Sequence, residues 1–589
     1  MSGSLRALAL LLGAVAVCAS VASASQVTLI SYIGLAGLVT VGLVVLIGIA
    51  GLTSFGQAAF AGVGAYTSAV LCTQYGVSPW LGLVAGLVVV CVISVALGAA
   101  TMSLHGPYFP LGTMAWGISF YYLFANIPGL GGNTGISEIP PIEFFGVSIG
   151  SERRMAFMIW VFLAVAAWLT FNLLDSRTGR AVRALRSGEM MAEAFGVNTT
   201  AVKVKVFIYV AALAAVSGWL YAHMLQFVGP ASFSINVSIQ YIFMIVVGGS
   251  TSIWGGILGA AILISLKEIL QPVLPMIFGE GANYELIFFG LIVIWLLHKN
   301  KRGLAPLLSR WVPYFLRSSR ESNEASAAPL PYRAMPERGH AILKVHHVRK
   351  SFGGLAAVKD ISFDLHAGEI LGLVGPNGAG KSTTFNLISG VLPVSAGRIE
   401  FLGGSIEQMR SRKIARLGIA RTFQHVRIQA DMPVIDNVAL GGYLRNSAGF
   451  FRALLQMERK EEHTMRAEAM RHLELVGLAD HALDAAGSLP LGKQRLLEIA
   501  RALCADPLLL LLDEPAAGLR RHEKLALFDV LCRLRNRGMA ILLVEHDMEF
   551  VGRLVDRMIV MDFGQKIAEG APSSVRKEPA VIEAYMGAA

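Results

Sequence analysis

Two clusters in the C-terminal half have the residue types and spacing that phosphate chemistry requires. The stretch EILGLVGPNGAGKSTTFNLISG, Glu369–Gly390, reads as an apolar strand, a glycine-rich loop and a helix. Gly375, Gly380, Lys381 and Ser382 stand where the pattern G-x-x-x-x-G-K-[ST] needs them. Glycines let backbone N–H groups turn inward on phosphates, and a helix N-terminus adds its own positive end. Gly375, Asn377, Gly378, Gly380, Lys381, Ser382 and Thr383 are the expected ATP cradle, with Lys381 on the β/γ-phosphates and the Ser382 hydroxyl on Mg²⁺. The second cluster is LLLLLDEP, Leu508–Pro515, a buried-strand run ending in two carboxylates. Asp513 suits the Mg²⁺ site, and Glu514 suits the base that polarises an attacking water, since in-line attack needs one beyond the γ-phosphate. A strand ending in exposed acids would explain one carboxylate, not a pair matched to a phosphate loop.

The elements that must position these residues occupy only part of the 589-residue chain. Charged residues make up 15% and the mean hydropathy is strongly positive, as when much of a chain lies in lipid. The long apolar runs lie before His298, and after His340 the sequence reads as a soluble α/β protein. The net charge of +10 gathers just beyond hydrophobic segments, at Arg177/Arg180/Arg183/Arg186 and Lys299/Lys301/Arg302. That is the bias of cytoplasmic loops. No basic stripe with interleaved aromatics accompanies it, so no nucleic-acid partner is expected. The five cysteines, Cys18, Cys72, Cys91, Cys504 and Cys532, have neither metal nor disulfide-framework spacing and read as small buried hydrophobes.

A span needs about 20 mostly apolar residues. That ruler finds about ten, near 5–24, 27–50, 57–76, 79–104, 108–127, 155–174, 206–227, 234–249, 253–271 and 284–298. The Gly-rich segments 108–127 and 234–271 invite broken or re-entrant helices. Ser176–Ser187 and His298–Arg302 must both be cytoplasmic, and the count satisfies both. Arg6 places the start inside. Arg6, the run 7–17 and Ala22-Ser23-Ala24 also resemble a cleavable leader, an alternative that leaves the later topology unchanged. Gly34/Gly37, Gly82/Gly86 and Gly255/Gly259 sit at the spacing that lets helices approach closely in lipid. His223, Lys267 and Glu268 are costly in a span, and their closeness to span ends reads as snorkelling. From Gly303 to His340 the chain is polar and irregular, a tether. Within it Trp311, Tyr314 and Phe315, beside Arg310 and Arg317, read as a short interfacial segment.

Four stretches resemble the permease subunits of branched-chain amino-acid importers: GIAGLTSFGQAAFAGVGAY (Gly48–Tyr66), HGPYFPLGTMAW (His105–Trp116), GGNTGISEIP (Gly131–Pro140) and SRTGRAVRALRSGEMMAEAFGV (Ser176–Val197). From about 342 to 589 the chain is similar to the ATP-binding-cassette subunit of the same importers. The resemblance implies that Phe352 in KSFGG stacks on adenine. Gln424 in RTFQ senses Mg²⁺ and the permease, and His546 in LLVEHD is the switch near the γ-phosphate. Arg520 after EPAAGL stands where the loop facing a partner ATPase is expected. One departure is plain: the signature, Leu-Ser-Gly-Gly-Gln in the family, is here Leu489-Pro490-Leu491-Gly492-Lys493. Pro490 lacks the hydroxyl that would meet the opposite γ-phosphate.

The expected fold is therefore an N-terminal all-α polytopic membrane domain (1–300), a linker (301–341) and a C-terminal α/β P-loop cassette ATPase with a helical subdomain (342–589). The implied activity is ATP-driven import. The implied partners are a second homologous permease, a second ATPase, a periplasmic solute-binding protein and membrane lipid, in a bacterial inner membrane. Urea, amides and aromatic acids are the alternative solutes in related systems. An exporter half-transporter would instead show six long spans. Ser187–Gly196 is expected as one coupling helix, with Met190, Met191, Ala194 and Phe195 on its apolar face and Glu189 and Glu193 on another.

Overall fold

The computed structural model describes residues 3–102, 106–278, 284–300, 303–305 and 328–586. The chain forms two compact units. The first comprises Met1–Val182, Thr200–Glu321 and Phe450–Met457, and the second Arg183–Thr199, Ser322–Gly449 and Glu458–Ala589. Each unit thus includes one short segment whose chain neighbours belong to the other. His105, Lys301, Arg302 and the interfacial segment at Arg310, Trp311, Tyr314, Phe315 and Arg317 lie outside the described residues.

The first unit is helical, and its apolar runs become α1 (Gly3–Val21), α2 (Ala24–Leu43), α3 (Gln57–Tyr75), α4 (Pro79–Thr101), α5 (Tyr108–Asn126) and α6 (Glu152–Leu174). Next come α7 (Arg177–Ser187), α8 (Glu189–Ala194), α9 (Thr199–Leu225), α10 (Ile235–Gly248), α11 (Ile253–Phe278) and α12 (Tyr284–Lys299). Among the described residues five segments are long and apolar enough to cross a membrane: Ala24–Ile49, Pro79–Thr101, Glu152–Leu174, Thr199–Leu225 and Ile253–Leu274. The apolar stretches of α1, α10 and α12 are shorter. The Gly-rich segment 108–127 is one continuous helix rather than a broken one. In 234–271 the chain does break, at Gly249, whose φ of +118° ends α10 before α11 begins. A Cβ on Gly259 would stand 1.8 Å from the Met244 carbonyl, so the small residue is what lets α11 lie against α10.

Two expectations are corrected, the first of them in this unit. His223 does not snorkel. It is 2% exposed, its Nδ1–H donates to the Pro140 carbonyl (2.7 Å), and Nε2 accepts from the Ser68 hydroxyl (2.8 Å). Burial with two partners offsets the cost of a polar ring among apolar helices. Of the cysteines only Cys72 and Cys504 are buried, and Cys18 on α1 is exposed.

The second unit is built on a ten-stranded sheet in the order β7-β6-β3-β4-β12-β11-β5-β10-β9-β8. The strands are β3 (Ala341–Phe352), β4 (Leu355–His366), β5 (Ile370–Val374), β6 (Ala396–Phe401), β7 (Gly404–Ser405), β8 (Ile419–Arg421), β9 (Leu509–Asp513), β10 (Ala540–Val544), β11 (Arg557–Asp562) and β12 (Gln565–Gly570). The first two, β1 (Glu143–Phe144) and β2 (Val147–Ser148), form a separate hairpin in the first unit. Strands β11, β5, β10, β9 and β8 run parallel. In β5, β9 and β10 every residue is buried, which is why they read as unbroken apolar runs. Parallel strands end on one edge of the sheet, so the loops after β5, β9 and β10 meet there.

Candidate functional site: a phosphate cleft at the sheet edge

After β5 the chain enters the glycine loop and then the helix Lys381–Ile388. Gly380 has φ +96°, and a Cβ there would meet the Ala357 carbonyl at 2.5 Å. Only glycine takes that backbone in that space. Lys381 is 5% exposed, and its Nζ donates to the carbonyls of Gly375 and Pro376, both at 2.8 Å. Burial pushes the Lys381 ammonium below the ordinary lysine range, and the charges of Glu514 and Asp513 counter it.

Asp513 closes β9, in register with Val544 of β10. Its N–H donates to the Thr422 hydroxyl at 3.3 Å, while its Oδ1 is buried with no hydrogen-bond partner among the described residues. Burial raises the Asp513 carboxyl above its usual range, with Arg421 opposing. Glu514 follows with φ +47°, a sparsely populated backbone that costs on the order of 1–3 kcal/mol and gathers at functional sites. The Glu514 N–H donates to the Val544 carbonyl (2.9 Å). Its Oε1 accepts from Gln424 Nε2 at 3.2 Å and meets His546 Nε2 at 2.8 Å. The three residues expected to be catalytic are therefore joined at one oxygen.

These side chains line one cleft of about 590 Å³, with Asn377, Gly378, Gly380, Lys381, Ser382, Thr383, Gln424, Glu514 and His546 on its wall. Gly375 and Asp513 are not among the residues that line it. Phe352 is not on the wall. It is 46% exposed, with Lys350 Nζ 5.1 Å from its ring centre. Leu355 and Phe563, both well exposed, stand in the cleft. Sequence reasoning missed them, since neither belongs to a spaced motif. It also missed Glu545, which is 2% exposed and accepts from the N–H groups of Ala516 (2.6 Å) and His546 (3.0 Å). Glu545 thereby fixes the two loops that carry Glu514 and His546. Its position one residue before the histidine was the available signal.

Sequence comparison matches residues 358–517 to the family described as ABC transporter and 565–589 to branched-chain amino acid ATP-binding cassette transporter. Residues 25–297 match the branched-chain amino acid transport system / permease component. The high-affinity branched-chain amino acid transport ATP-binding protein LivG of Salmonella typhimurium is 41% identical over 251 residues, 42% of this chain and 98% of that protein. The chain belongs to the branched-chain amino acid ABC transporter family. It joins that family's permease and cassette ATPase in one polypeptide. BraF of Pseudomonas aeruginosa, of the same printed description, is 37% identical over 42% of this chain and 98% of its own length. A crystal structure of a nucleotide-free ATP-binding cassette from an ABC transporter is 31% identical, with a TM-score of 0.38 over 42% of this chain and 98% of that one.

Within the ABC ATPase unit, the segment Arg183–Thr199 sits on the loop after Gln424. The expected single helix Ser187–Gly196 is not formed. Gly188, at φ +131°, separates α7 from the six-residue α8. Met190 is 44% exposed and leaves the apolar face, whereas Met191, Ala192, Ala194 and Phe195 are buried. Glu193 accepts from the Thr199 hydroxyl (3.0 Å), anchoring the segment's end. The Gln429 side chain donates to the Arg183 carbonyl, and the Ser187 hydroxyl donates to the Ile428 carbonyl (3.4 Å). Phe195 lies 4.9 Å from the guanidinium of Arg501. Arg501 pairs with Glu498 (3.1 Å) and donates to the Arg427 carbonyl (2.6 Å), and Glu498 accepts from the Arg427 N–H (2.9 Å). Arg495 donates to the Phe423 and Gln424 carbonyls. A continuous polar chain thus leads from Phe195 to the Gln424 loop and on to Glu514.

The signature begins the helix Leu491–Leu503, with Pro490 as its N-cap residue. Lys493 Nζ does not project freely. It donates to His481 Nε2 (2.7 Å), whose Nδ1 meets Asp484 (2.8 Å).

Proposed function

We propose that this chain is the permease–ATPase subunit of a complex that imports branched-chain amino acids across a bacterial inner membrane, with its cassette in the cytoplasm. One observation carries the reading. The two halves of a single polypeptide match the permease and the ATP-binding subunit of the same transport system. The relatives LivG and BraF, by their printed names, serve high-affinity branched-chain amino acid transport. One permease and one cassette make half a machine, so a second homologous permease and a second ATPase complete it, and a periplasmic protein delivers the solute. Domain boundaries near 300 and 342 fit this division.

ATP lies in the cleft with its phosphates on the loop Gly375–Thr383 and Lys381 redirected from the loop carbonyls to the β/γ-phosphates. The buried, unpartnered Oδ1 of Asp513 fits a hard cation, and with the Ser382 hydroxyl and the Gln424 amide would hold Mg²⁺. When bound, that ion would neutralise phosphate charge. Glu514 orients and deprotonates the attacking water, its carboxylate aimed by Gln424 and His546. Phe352 is proposed to stack on adenine. Docking of Arg183–Thr199 beside the Gln424 loop links the state of the cleft to the permease.

The test is uptake into proteoliposomes by the assembled complex with its solute-binding protein. Labelled leucine, isoleucine and valine should accumulate with ATP and not in the Glu514→Gln complex. Accumulation of urea, amides or aromatic acids in their place overturns the reading.

A further inference from the structure

The first unit holds a half-open pocket of about 380 Å³. Small-molecule sites span about 300–1,000 Å³, so it has room for a compact solute. Helix α11 presents Ile264, Lys267, Glu268 and Gln271 to it, a stripe at three- and four-residue spacing. Opposite, α2 contributes Tyr32 and Leu35, α9 contributes Tyr221 and α10 contributes Met244. Tyr32 stands within electrostatic range of both Glu268 and Tyr221, so the polar groups of three helices gather at one end. Leu35, Met244 and Ile264 supply apolar wall. Lys267 and Glu268, near a span end, also line this pocket.

An ionisable side chain in a span costs about 2.5–3.5 kcal/mol at the bilayer centre, and such groups mark solute paths. Two adjacent residues here carry opposite charges to a single cavity. An inorganic anion would need cations alone. Urea or an amide would need neutral donors and acceptors. One cation, one anion and an aliphatic wall together complement a molecule that has one charge of each sign and an apolar remainder. With α10 and α12 counted as crossings, as the basic loops require, α11 runs outward, so Lys267 to Gln271 and the first turns of α2 lie in the outer half, where a delivered solute enters.

We propose that this cavity binds the transported solute as a zwitterion, with Lys267 on its α-carboxylate, Glu268 on its α-ammonium, and Leu35, Met244 and Ile264 around an aliphatic side chain. The assignment rests on the reading of the chain as a subunit of an amino-acid importer. It places solute selection in the permease as well as in the delivering protein.

The test uses the full-length chain in lipid nanodiscs, with a thiol reporter introduced by Val237→Cys, a cavity-lining position. The rate of maleimide labelling at that position reads occupancy. L-leucine should slow labelling. L-leucinamide, which lacks the carboxylate, and 4-methylpentanoate, which lacks the ammonium, should need at least about tenfold higher concentrations, the loss expected for one charge-assisted hydrogen bond. Lys267→Gln should erase the preference for L-leucine over L-leucinamide, and Lys267→Arg should keep it. Glu268→Gln should erase the preference over 4-methylpentanoate. Basal ATP hydrolysis reports that each variant is folded. Equal protection by all three compounds, or unchanged preferences in the Gln variants, overturns the assignment. Leucine uptake by the unmodified complex without protection sinks the cavity and leaves the importer reading standing. Protection without uptake of any branched-chain amino acid does the reverse.

Discussion

Phe195 offers the sharpest test of how the cassette and the permease communicate. Its ring is 2% exposed and lies 4.9 Å from the guanidinium of Arg501, itself 1% exposed on its side chain. Truncation by Phe195→Ala removes about 1.5–3 kcal/mol of burial and about 1–2 kcal/mol of cation–π attraction. Phe195→Lys adds a like charge about 5 Å from Arg501. At an effective dielectric near 20 that repulsion is about 3 kcal/mol, less whatever Glu498 screens. Relative to the alanine variant this shifts the docking equilibrium of Arg183–Thr199 by up to about a hundredfold. Phe195→Glu faces the same cation with the opposite sign, so it should be milder than the lysine variant. The assay is the assembled complex in proteoliposomes, with ATP binding, hydrolysis and solute uptake measured side by side. ATP binding should survive in all three variants, and uptake per ATP hydrolysed should fall in the order Glu, Ala, Lys, with Lys the lowest. Equal uptake by the lysine and glutamate variants would refute the Arg501 argument, and full uptake by the lysine variant would refute docking as the link.

Glu514→Gln should bind ATP yet hydrolyse it at least about a hundredfold more slowly, whereas Lys381→Ala should lose nucleotide affinity; normal turnover by purified Glu514→Gln complex removes the base assignment. Burial alone would raise the Glu468 carboxyl, but His472, Tyr332 and Arg445 hold it well below the usual carboxylate range. Its stabilisation is therefore present above about pH 4.5, the unfolded value, and is lost as pH falls further. Glu468→Gln removes the buried anion between Arg445 and Arg471, so it should cost about 3–5 kcal/mol at pH 7, with the gap to the unmodified chain closing in acid; a pH-independent gap in thermal unfolding would contradict this. The two composite ATP sites should be unequal, because Pro490 withholds a hydrogen bond worth about 0.5–1.5 kcal/mol and Lys493, bound to His481, is not placed to compensate. Disabling each ATPase's catalytic glutamate in turn measures this, and a smaller loss when Glu514 is the one disabled would reverse the assignment.

The phosphate cleft was legible because each of its parts is a short motif whose backbone sets its geometry. The glycines around Lys381 and the strand ending at Asp513 needed no knowledge of distant contacts. The helices of the first unit were legible for a similar reason, since lipid demands long apolar runs. What escaped was set by tertiary partners. The periodicity of Ser187–Gly196 matched a helix, but Gly188 takes a backbone that no window of hydrophobicity registers, and it turned Met190 outward. The bond from Lys493 to His481, twelve positions earlier, is likewise a tertiary contact that the signature's own sequence does not show. That Lys267 and Glu268 line a pocket depends on α2, α9 and α10 standing opposite, which their nearness to a span end does not reveal.

The exchange of Arg183–Thr199 into the cassette unit also sets an order of events during synthesis. Ribosomes add about 5–20 residues per second. Phe195 therefore emerges about 15–60 s before Arg501, 306 positions later in the chain, exists to receive it. For that interval Met191, Phe195 and their apolar neighbours have no docking site. Helices α9 to α12 are made in the same interval, so insertion of the permease precedes the folding event that covers its own loop. A nascent chain stalled before Arg501 would leave Phe195 and its apolar neighbours without the surface that covers them.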